Sequence, residues 1–373
     1  MSGDEITRVT LVSPYALSVF GGVQEQVLAM SRELSRRGLE VQVLAPDDSD
    51  HTLLDTPARV VRLGALVSVR ANGSRAPLTL SAKASRLAAA HVRDFAPDVV
   101  HFHEPFAPRL GWGTLRAHRA PAVATFHRSG AGPALSLSRP LLRRWVRHLD
   151  VCVAVSRQAA DTARAAYGVD PLVLYNGFET DRFTQFPRES SATVTLVVVG
   201  RLEGRKGVAT AVTAVRDHNA LGGKRWRLVI VGEGPERDSL RRLADADPAI
   251  EFLGAVSDED KRRWYRRASI VLAPATHGES FGLVLLEAMA AGTRVVASDI
   301  PGYRDAAGSH AVLFSPGDAA DLGRAIEAAL GTRDDATIRG AREYAERWSM
   351  RQLVDEYQAL YARAREIYRP GVA

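Results

Sequence analysis

Short runs of β-branched and apolar residues alternate with longer amphipathic stretches along nearly the whole chain. Residues 40–45 have the length and composition of a buried strand, whereas residues 23–37 have the spacing of an amphipathic helix. When strands and helices follow one another in this way, they form βα units that wind into parallel sheets. The sequence therefore predicts an α/β protein built from doubly wound parallel sheets.

Two such series of elements follow one another. In the first half, strands are predicted at residues 10–13, 40–45, 60–63, 98–101, 122–126, 151–155 and 172–175, and helices at residues 23–37, 81–95, 140–149 and 157–167. In the second half, strands are predicted at residues 194–199, 227–231, 251–253, 270–273, 294–298 and 311–314, each followed by a helical pattern. One last helix is predicted from residue 349 to about residue 368.

The polar segment 183–193 has no period and is predicted to be the interdomain linker. A chain of 373 residues is longer than one hydrophobic core usually organises, so two domains are expected, at residues 1–187 and 188–348. Two α/β domains that face each other leave a cleft. Ligands of such sheets bind outside the carboxyl ends of the strands.

Composition excludes several classes of protein. With 46% apolar and 25% charged residues the chain is not a disordered one. The single cysteine, Cys152, cannot form an internal disulfide, which predicts a reducing, cytoplasmic location. No apolar run approaches the roughly 20 residues that span a bilayer. Aromatic residues make up only 7% and do not interleave with basic clusters, which argues against a nucleic-acid binder.

The formal net charge is +6, and lysine is scarce among the 49 basic residues. The four lysines are Lys83, Lys206, Lys224 and Lys261. A basic chain of this kind can be attracted to an anionic membrane or a phosphorylated substrate. Because nearly all of the basic residues are arginine, each lysine is interpreted as having a specific local role.

Two glycine-containing loops are candidates for phosphate binding. Gly21 and Gly22 precede a predicted helix, whose free N–H groups favour an anion, although a simple glycine turn is the alternative. The motif GRLEGRKG, residues 200–207, places Arg201 and Lys206 after the first strand of the second domain. A planar guanidinium and a mobile ammonium suit a diphosphate, and the alternative is a solvated basic turn.

The motif HGESFGLVLLEAMAAG, residues 277–292, contains two carboxylates eight positions apart. Glu279 lies before a predicted helix and Glu287 lies inside it, where a carboxylate needs a partner such as sugar hydroxyls or a neighbouring arginine. A retaining glycosidase requires its carboxylates at about 5 to 5.5 Å. Eight helical residues rise about 12 Å, so that interpretation is rejected.

Histidines follow two neighbouring strands of the first domain. The motifs are HFHEPFAP, residues 101–108, and ATFHRSG, residues 124–130. They place His127 at a strand end together with His101, His103 and Glu104. An imidazole there can position or exchange a proton near neutral pH, and a purely structural role is the alternative.

Metal and dinucleotide signals are weak. The Asp-x-Asp pairs are Asp48/Asp50, Asp245/Asp247 and Asp258/Asp260. Ser257 and Asp260 have the spacing of a helix N-cap pair, and the other aspartates are interpreted as loop or helix-end residues. The segment GEGPER, residues 232–237, lacks the third glycine of a dinucleotide fingerprint. No metal or cofactor is predicted.

Taken together, these motifs resemble retaining glycosyltransferases of family 4, which have the GT-B fold. PYALSVFGGVQ, GRLEGRKG, VGEGPE, FLGAV and ESFGLVLLE carry the resemblance over nearly the whole chain. GGVQ, HEPFAP, TFHRS and GESFGLVLLEAMAAGT are most similar to actinobacterial phosphatidylinositol mannosyltransferases, which use GDP-mannose. The resemblance implies an acceptor-binding first domain, a donor-binding second domain and a final helix, 349–373, that returns to the first.

The same resemblance implies roles for individual residues. Donor-binding residues would be Gly22, Arg201 and Lys206 at the diphosphate, Glu287 at the ribose, Glu279, Phe281, Gly282 and Leu283 at the sugar, and Val256 and Lys261 at the base. Acceptor-binding residues would be Tyr15, Gly21, Gln24, Phe106 and Arg128. His127 and Glu279 are the candidate catalytic residues, with His127 beside the anomeric carbon. Phe106 stands where the mannosyltransferases have Asn, and residues 130–134 lack their lysine, so the acceptor is the least defined substrate.

The predicted function is metal-independent, retaining transfer of a hexose, with mannose from GDP-mannose favoured, to a hydroxyl of a lipid or inositol-type acceptor. The nucleotide sugar is a substrate, so no cofactor is expected. The alternatives are a family 4 enzyme that uses a UDP-sugar and a soluble or other acceptor, and a non-catalytic nucleotide-sugar-binding protein.

Two basic helical faces of the first domain predict peripheral contact with an anionic membrane, at the inner face of the cell membrane. One face has Lys83, Arg86 and Arg93, and the other has Arg139, Arg143, Arg144 and Arg147. The second face is opposite Leu141, Leu142, Trp145 and Leu149. Such faces bind anionic lipid interfacially, and the alternative is a solvated surface.

Overall fold

The computed structural model divides into two compact units, residues 1–178 with 350–373, and residues 179–349. The residues that it describes are 5–19, 21–46, 54–64, 67–71, 74–78, 81–106, 110–128, 142, 144–187, 193–222, 224–279, 281–331 and 335–369.

The first unit contains a seven-stranded parallel sheet in the order β3-β2-β1-β6-β7-β8-β9. Its strands are β1 (Arg8–Val12), β2 (Glu40–Ala45), β3 (Arg59–Arg62), β6 (Val99–His103), β7 (Ala122–Phe126), β8 (Val151–Ala154) and β9 (Leu172–Val173). A separate antiparallel hairpin is formed by β4 (Val67–Ala71) and β5 (Ser74–Leu78). The helices are α1 (Gly22–Arg36), α2 (Ala82–Phe95), α3 (Leu110–Ala117) and α4 (Arg157–Tyr167), and residues 142 and 144–146 are also helical.

Local signals explain where the helices of this unit begin and end. Ser156 caps α4 by accepting a hydrogen bond from the Ala159 backbone N–H, as the sequence predicts. Gly38 follows α1 with a φ of +87°, a conformation that favours glycine. The hairpin and α3 were not predicted. Asn-Gly at positions 72 and 73 is a hairpin signal in the sequence that could have revealed the former.

The second unit contains a six-stranded parallel sheet in the order β12-β11-β10-β13-β14-β15. Its strands are β10 (Val194–Val199), β11 (Trp226–Val231), β12 (Ile250–Gly254), β13 (Ile270–Ala273), β14 (Arg294–Ser298) and β15 (Val312–Phe314). Its helices are α5 (Val208–Ala220), α6 (Arg237–Ala244), α7 (Asp258–Arg267), α8 (Leu283–Ala290), α9 (Pro301–Ala307), α10 (Ala319–Gly331) and α11 (Asp335–Glu346). Two 3₁₀ turns lie at Thr180–Phe183 and Gly204–Lys206.

The start of the predicted linker is part of this folded unit. Phe183 is buried, and its ring centroid lies 5.8 Å from that of Tyr265. The polar segment was therefore predicted to begin too early, because a buried aromatic side chain ties its first residue to the core. Residues 188–192, also within the predicted linker, lie outside the described residues.

The last helix, α12 (Met350–Ile367), packs on the first unit, which confirms the predicted return of the chain. Tyr357 and Tyr361 are buried in the same core as Met30 of α1. Arg37 donates a hydrogen bond to the Asp355 carboxylate at 2.5 Å. None of the helices in the described part of the chain is long and apolar enough to cross a membrane.

Candidate active site

The loop after β10 is shaped by glycines that allow strand ends to approach closely. A Cβ at Gly232 would lie 1.9 Å from the Gly200 carbonyl oxygen, and a Cβ at Gly207 would lie 2.0 Å from the Pro274 carbonyl oxygen. Gly207 has a φ of +62° and begins α5. No larger residue fits these positions without displacing backbone. The loop that contains Lys206 is thereby held against the carboxyl end of β13.

Glu279 and Lys206 form an ion pair at this edge of the sheet. The Lys206 Nζ lies 2.5 Å from Glu279 Oε1, and the Arg205 Nη1 lies 3.0 Å from the same oxygen. The Glu279 side chain is only 12% exposed, so two cations neutralise a largely desolvated carboxylate. Sequence reasoning missed Arg205 because a second arginine in a basic turn carries no signal of its own.

Arg201 and Arg205 are joined through a second carboxylate. Arg201 Nη2 lies 2.9 Å from Glu203 Oε1, and Arg205 Nε lies 3.0 Å from Glu203 Oε2. The Arg201 side chain is 53% exposed. The structure therefore brings Arg201, Lys206 and Glu279 into one charged cluster, in which the cations of Arg201, Arg205 and Lys206 lie around the carboxylates of Glu203 and Glu279.

Glu287 lies inside α8 and is held by two side chains of α7. Tyr265 donates a hydrogen bond from its hydroxyl to Glu287 Oε2 at 2.7 Å, and Lys261 Nζ lies 3.4 Å from Oε1. Burial, followed by the Glu287 charge, raises the pKa of Tyr265 well above its ordinary value. Within the protein, Glu287 is therefore paired with a lysine and a tyrosine, and not with the neighbouring arginine that the sequence offered as an alternative. Tyr265 gave no signal in the sequence because it is 22 residues from Glu287.

The start of α8 is a tight backbone turn. Gly282 has a φ of +88°, and a Cβ there would lie 2.5 Å from the Tyr303 ring. The Phe281 side chain is buried, with its ring centroid 4.7 Å from that of Trp348, so only its backbone can meet a ligand. Leu283, the first residue of the helix, is half-buried.

Val256 is half-buried and precedes the N-cap of α7. Ser257 accepts a hydrogen bond from the Asp260 backbone N–H at 3.1 Å and donates to Asp260 Oδ2 at 2.7 Å, which confirms the predicted cap. Among the residues that the structure describes, no three His, Cys, Asp or Glu side chains are grouped as metal ligands. Asp48 and Asp50 lie outside the described residues.

In the first unit, β6 and β7 run side by side and bring the predicted histidines together. His103 is paired in register with Thr125, so His127 follows at the same edge of the sheet. Glu104 has a φ of +48°, is 8% exposed, and accepts hydrogen bonds from the backbone N–H groups of His127 and Arg128. A buried carboxylate thus fixes the turn that carries His127.

The three histidine rings form a stack. His103 lies 4.5 Å from His101 and 5.2 Å from His127, between ring centroids. His103 Nδ1 is 2.9 Å from His127 Nε2. Burial lowers the pKa of His101 and of His127 to about 3. The lowered pKa favours a neutral His127 that positions a group, and the expectation that His127 exchanges a proton near neutral pH stays a prediction.

The start of α1 holds the donor-binding candidate Gly22 and lies next to the acceptor-binding candidates Gly21 and Gln24. Gly22 is exposed, and a Cβ there would meet nothing within 4 Å, so the space above this helix end is open. A Cβ at Gly21 would lie 2.5 Å from the side-chain amide oxygen of Gln24, which is buried. Burial, and secondarily the Glu104 charge, raises the pKa of Tyr15 to about 12, so its hydroxyl stays protonated.

Phe106 is a core residue in this structure. It is 6% exposed, and its ring centroid lies 4.5 Å from that of Tyr167. Its side chain therefore packs against protein, and the sequence did not show this because a single aromatic residue after a strand end has no period. Arg128 is half-buried at the turn held by Glu104.

The basic faces differ in what covers their apolar sides. Lys83, Arg86 and Arg93 are exposed on α2 beside Leu87, which is 41% exposed. Arg144 and Arg147 are exposed, whereas Arg139 and Arg143 lie outside the described residues. Leu142 is buried, and Trp145 and Leu149 pack against the core of the first unit. At the described positions the apolar side of the second face therefore packs against protein, whereas Leu141 lies outside the described residues.

Comparisons with known proteins agree with the division of the chain into two units. Residues 20–182 match the family model described as Glycosyltransferase Family 4, and residues 193–332 match the model described as Glycosyl transferases group 1. The Anabaena HepE protein, solved in complex with UDP and glucose, has a similar fold, with a TM-score of 0.73 and 18% identity over 95% of this chain and 100% of that one. The fold and its site residues define a glycosyltransferase of the GT-B type.

Two relatives with known names are similar to the chain over most of its length. The phosphatidyl-myo-inositol mannosyltransferase of Mycobacterium leprae is 36% identical over 87% of each chain. That of Mycolicibacterium smegmatis is 36% identical over 97% of this chain and 93% of the relative. The chain belongs to glycosyltransferase family 4.

Proposed function

We propose that this glycosyltransferase is a retaining mannosyltransferase that transfers mannose from GDP-mannose to a hydroxyl of an inositol-containing lipid. The observation that carries the proposal is the Lys206–Glu279 ion pair, with 2.5 Å between Nζ and Oε1, in a cluster that also contains Arg201 and Arg205. The names of the relatives that are 36% identical to the chain support mannose and an inositol lipid as substrates.

The donor is assigned to the second unit by the chemistry of its side chains. Arg201 and Lys206 stabilise the negative charge that develops on the departing diphosphate. Glu287, oriented by Tyr265, accepts hydrogen bonds from the ribose hydroxyls, while Glu279 does so from the sugar. Backbone groups of Phe281, Gly282 and Leu283 line the sugar, and Val256 and Lys261 lie near the base.

The transfer step breaks the bond between the anomeric carbon and the diphosphate oxygen and forms one to the acceptor oxygen. The acceptor attacks from the face that the diphosphate leaves, which retains the configuration, and its hydroxyl proton passes to the diphosphate oxygen. His127, being neutral, positions and polarises the reacting groups and does not titrate. Gly22 contributes its helix N–H groups to the diphosphate. The cations supply the charge stabilisation, so no metal takes part.

A nucleotide and substrate panel tests this proposal. Thermal-shift measurements with GDP, UDP and ADP should show the largest stabilisation by GDP. The protein is then incubated with GDP-mannose and an inositol phospholipid in the presence of EDTA, and the anomeric configuration of the product is determined by NMR. The expected product is the α-mannoside at an unchanged rate in EDTA. A larger shift with UDP would favour a UDP-sugar donor. Binding of GDP without transfer or hydrolysis would point to a non-catalytic nucleotide-sugar-binding protein.

Peripheral membrane contact belongs to the same proposal. The exposed Lys83, Arg86 and Arg93 on α2 support attraction to anionic lipid, with Leu87 beside them. Co-sedimentation with anionic but not neutral vesicles, lost at high salt, is the expected result. Equal binding to both vesicle types would contradict it.

A further inference from the structure

Hydrogen-bonded and stacked side chains continue from His127 through the first unit to α12. His101 Nδ1 lies 2.8 Å from the Tyr361 hydroxyl, and His101 Nε2 lies 2.8 Å from Thr125 Oγ1. Thr125 Oγ1 in turn lies 2.8 Å from the Tyr357 hydroxyl. Because both of its ring nitrogens are bonded, the His101 ring is fixed, and it stacks on His103.

His103 is bonded on one side only. Its Nδ1 lies 2.9 Å from His127 Nε2, whereas its Nε2 is buried and meets no hydrogen-bond partner among the described residues. The two nitrogens of a neutral imidazole share one proton, so one of them donates and the other accepts. Buried N–H groups without a partner are rarer in proteins than buried acceptors without one. The proton of His103 therefore belongs on Nδ1.

The position of the proton on His103 determines which ring nitrogen of His127 is protonated. Burial lowers the pKa of His103 well below its ordinary value and that of His127 to about 3, so both rings are neutral near pH 7. If His103 Nδ1 carries a proton, it donates to His127 Nε2, which must then be unprotonated. A neutral His127 with a bare Nε2 carries its proton on Nδ1.

We propose that His103 is a positioning residue that donates its Nδ1–H to His127 Nε2 and so fixes His127 as the Nδ1–H tautomer. Nδ1–H is then the one side-chain donor that His127 can offer a substrate oxygen. His101 and Tyr361 hold His103 in place by stacking and by the hydrogen bond to α12. The assignment of the tautomer stands on the contacts of this unit, and only its use in transfer rests on the proposed function.

The chain contains two internal references for measuring the tautomer. His118 Nδ1 lies 2.8 Å from the Ala120 carbonyl oxygen, and a carbonyl can only accept, so His118 is the Nδ1–H tautomer. His218 Nε2 lies 3.1 Å from the Lys224 carbonyl oxygen, so His218 carries a proton on Nε2. Both stand in the same folded protein as His127.

The experiment is two-bond ¹H–¹⁵N correlation on the full chain with ¹⁵N-labelled histidine, at about pH 8.5, above the ordinary histidine pKa near 6.5. Signals are assigned from His118→Gln, His127→Asn and His218→Gln. We expect His127 to give the pattern of His118. A wild-type His127 with the pattern of His218 would overturn the proposal without any variant of His103.

Two variants of His103 test whether it sets the tautomer. In His103→Asn the side-chain amide can still donate to His127 Nε2, so the Nδ1–H pattern and most transfer activity should remain. In His103→Leu the donor is lost, so His127 should gain the Nε2–H pattern and kcat should fall about 10- to 100-fold with little change in donor KM. An unchanged tautomer in folded His103→Leu would overturn the proposal. Absence of transfer in the wild type would reject the proposed function and leave the tautomer assignment testable.

Discussion

The carboxyl ends of the two sheets carry functional side chains held by different forces. In the second unit, Lys206 and Glu279 are charged, partly exposed and paired across loops, with side chains 24% and 12% exposed. In the first unit, His103 and His127 are held by stacking and by a hydrogen bond between rings that burial keeps neutral. Charged side chains suit a site that binds a diphosphate, whereas a neutral donor held by neighbouring rings suits a site that positions a group without titrating.

The contrast predicts that Lys206→Ala has the largest effect on activity. Removing the ammonium removes a cation that stabilises the departing diphosphate, so kcat/KM should fall about 10²- to 10³-fold. Steady-state transfer from GDP-mannose measures it. Lys224→Ala, which removes an exposed lysine of the same unit, is the matched control and should keep wild-type activity. Wild-type activity and donor affinity in Lys206→Ala would refute the assigned role.

His127→Asn should lower kcat by about 10²-fold, because a misplaced donor near the reacting atoms raises the barrier. Burial lowers the pKa of His127 to about 3, so we expect the ring to stay neutral between pH 5 and 8. The pH profile of kcat between pH 5 and 8 should therefore keep its shape in the variant. Loss of a limb with a midpoint near pH 6.5 would show that His127 titrates during transfer.

Tyr361→Phe tests how much the buried hydrogen bonds of His101, Thr125 and Tyr361 contribute to stability. The variant leaves the buried His101 Nδ1 without its partner, which should reduce the free energy of unfolding by about 1–3 kcal/mol. Urea unfolding measures the loss. Tyr368→Phe, at a half-buried tyrosine that follows α12 in the same unit, is the control and should change stability by less than about 0.5 kcal/mol. Equal losses in both variants would show that the buried hydrogen bond between His101 and Tyr361 does not stabilise the fold more than an ordinary tyrosine hydroxyl does.

The buried histidines also make stability depend on pH. The pKa of His101 and of His127 is lowered from 6.5 to about 3 in the folded state, so the unfolded chain binds more protons between these values. Their contribution is fully present above about pH 6.5 and is lost as pH falls toward 3, by about 1.4 kcal/mol per pH unit for each histidine. Burial raises the pKa of Glu104, which opposes this loss in the lower part of the range. Urea titrations at pH 7.5, 6.5 and 5.5 should show falling stability. A flat profile would show that the rings are not buried in the neutral form.

Tyr265→Phe should have a smaller effect, on donor binding alone. The hydroxyl orients Glu287 through a 2.7 Å hydrogen bond, so its loss should raise the donor KM about 3- to 10-fold with kcat nearly unchanged. Donor titrations measure the change, with Tyr368→Phe again as the control. A fall in kcat at constant KM would place Glu287 in the chemical step instead of in ribose binding.

The smallest effect on chemistry is expected at the surface of α2. Changing Lys83, Arg86 and Arg93 to Glu should abolish co-sedimentation with anionic vesicles and leave transfer to a water-soluble acceptor within about twofold of wild type. The same change at Lys224, Arg324 and Arg339, which are exposed in the second unit, is the control. Retained vesicle binding by the α2 variant would exclude this face.

The contrast also explains what could be predicted from sequence. Arg201, Lys206, Glu279 and Glu287 stand in contiguous motifs at strand ends and helix starts, where local spacing shows their placement. The order of βα units predicted both parallel sheets, since each element is encoded by its own period.

The network of histidine and tyrosine side chains in the first unit could not be predicted in this way. The bond between His103 and His127 depends on the register of β6 and β7, and the bond between His101 and Tyr361 joins residues 260 positions apart. Tyr265 and Arg205 likewise reach their carboxylates only after helices and loops have packed. Contacts of this kind carry no period or motif, so only the folded structure shows them.

In the proposed function, charged groups of the second unit bind the donor, whereas neutral groups of the first unit serve transfer. Calorimetric titration of GDP-mannose into wild type, Lys206→Ala and His127→Asn, with single-turnover transfer on the same preparations, separates donor binding from transfer. We predict that Lys206→Ala loses donor affinity at least about tenfold, whereas His127→Asn binds the donor within about threefold of wild type and transfers about 10²-fold more slowly. Wild-type affinity in Lys206→Ala, or a loss of donor binding in His127→Asn that accounts for its slower transfer, would contradict the account.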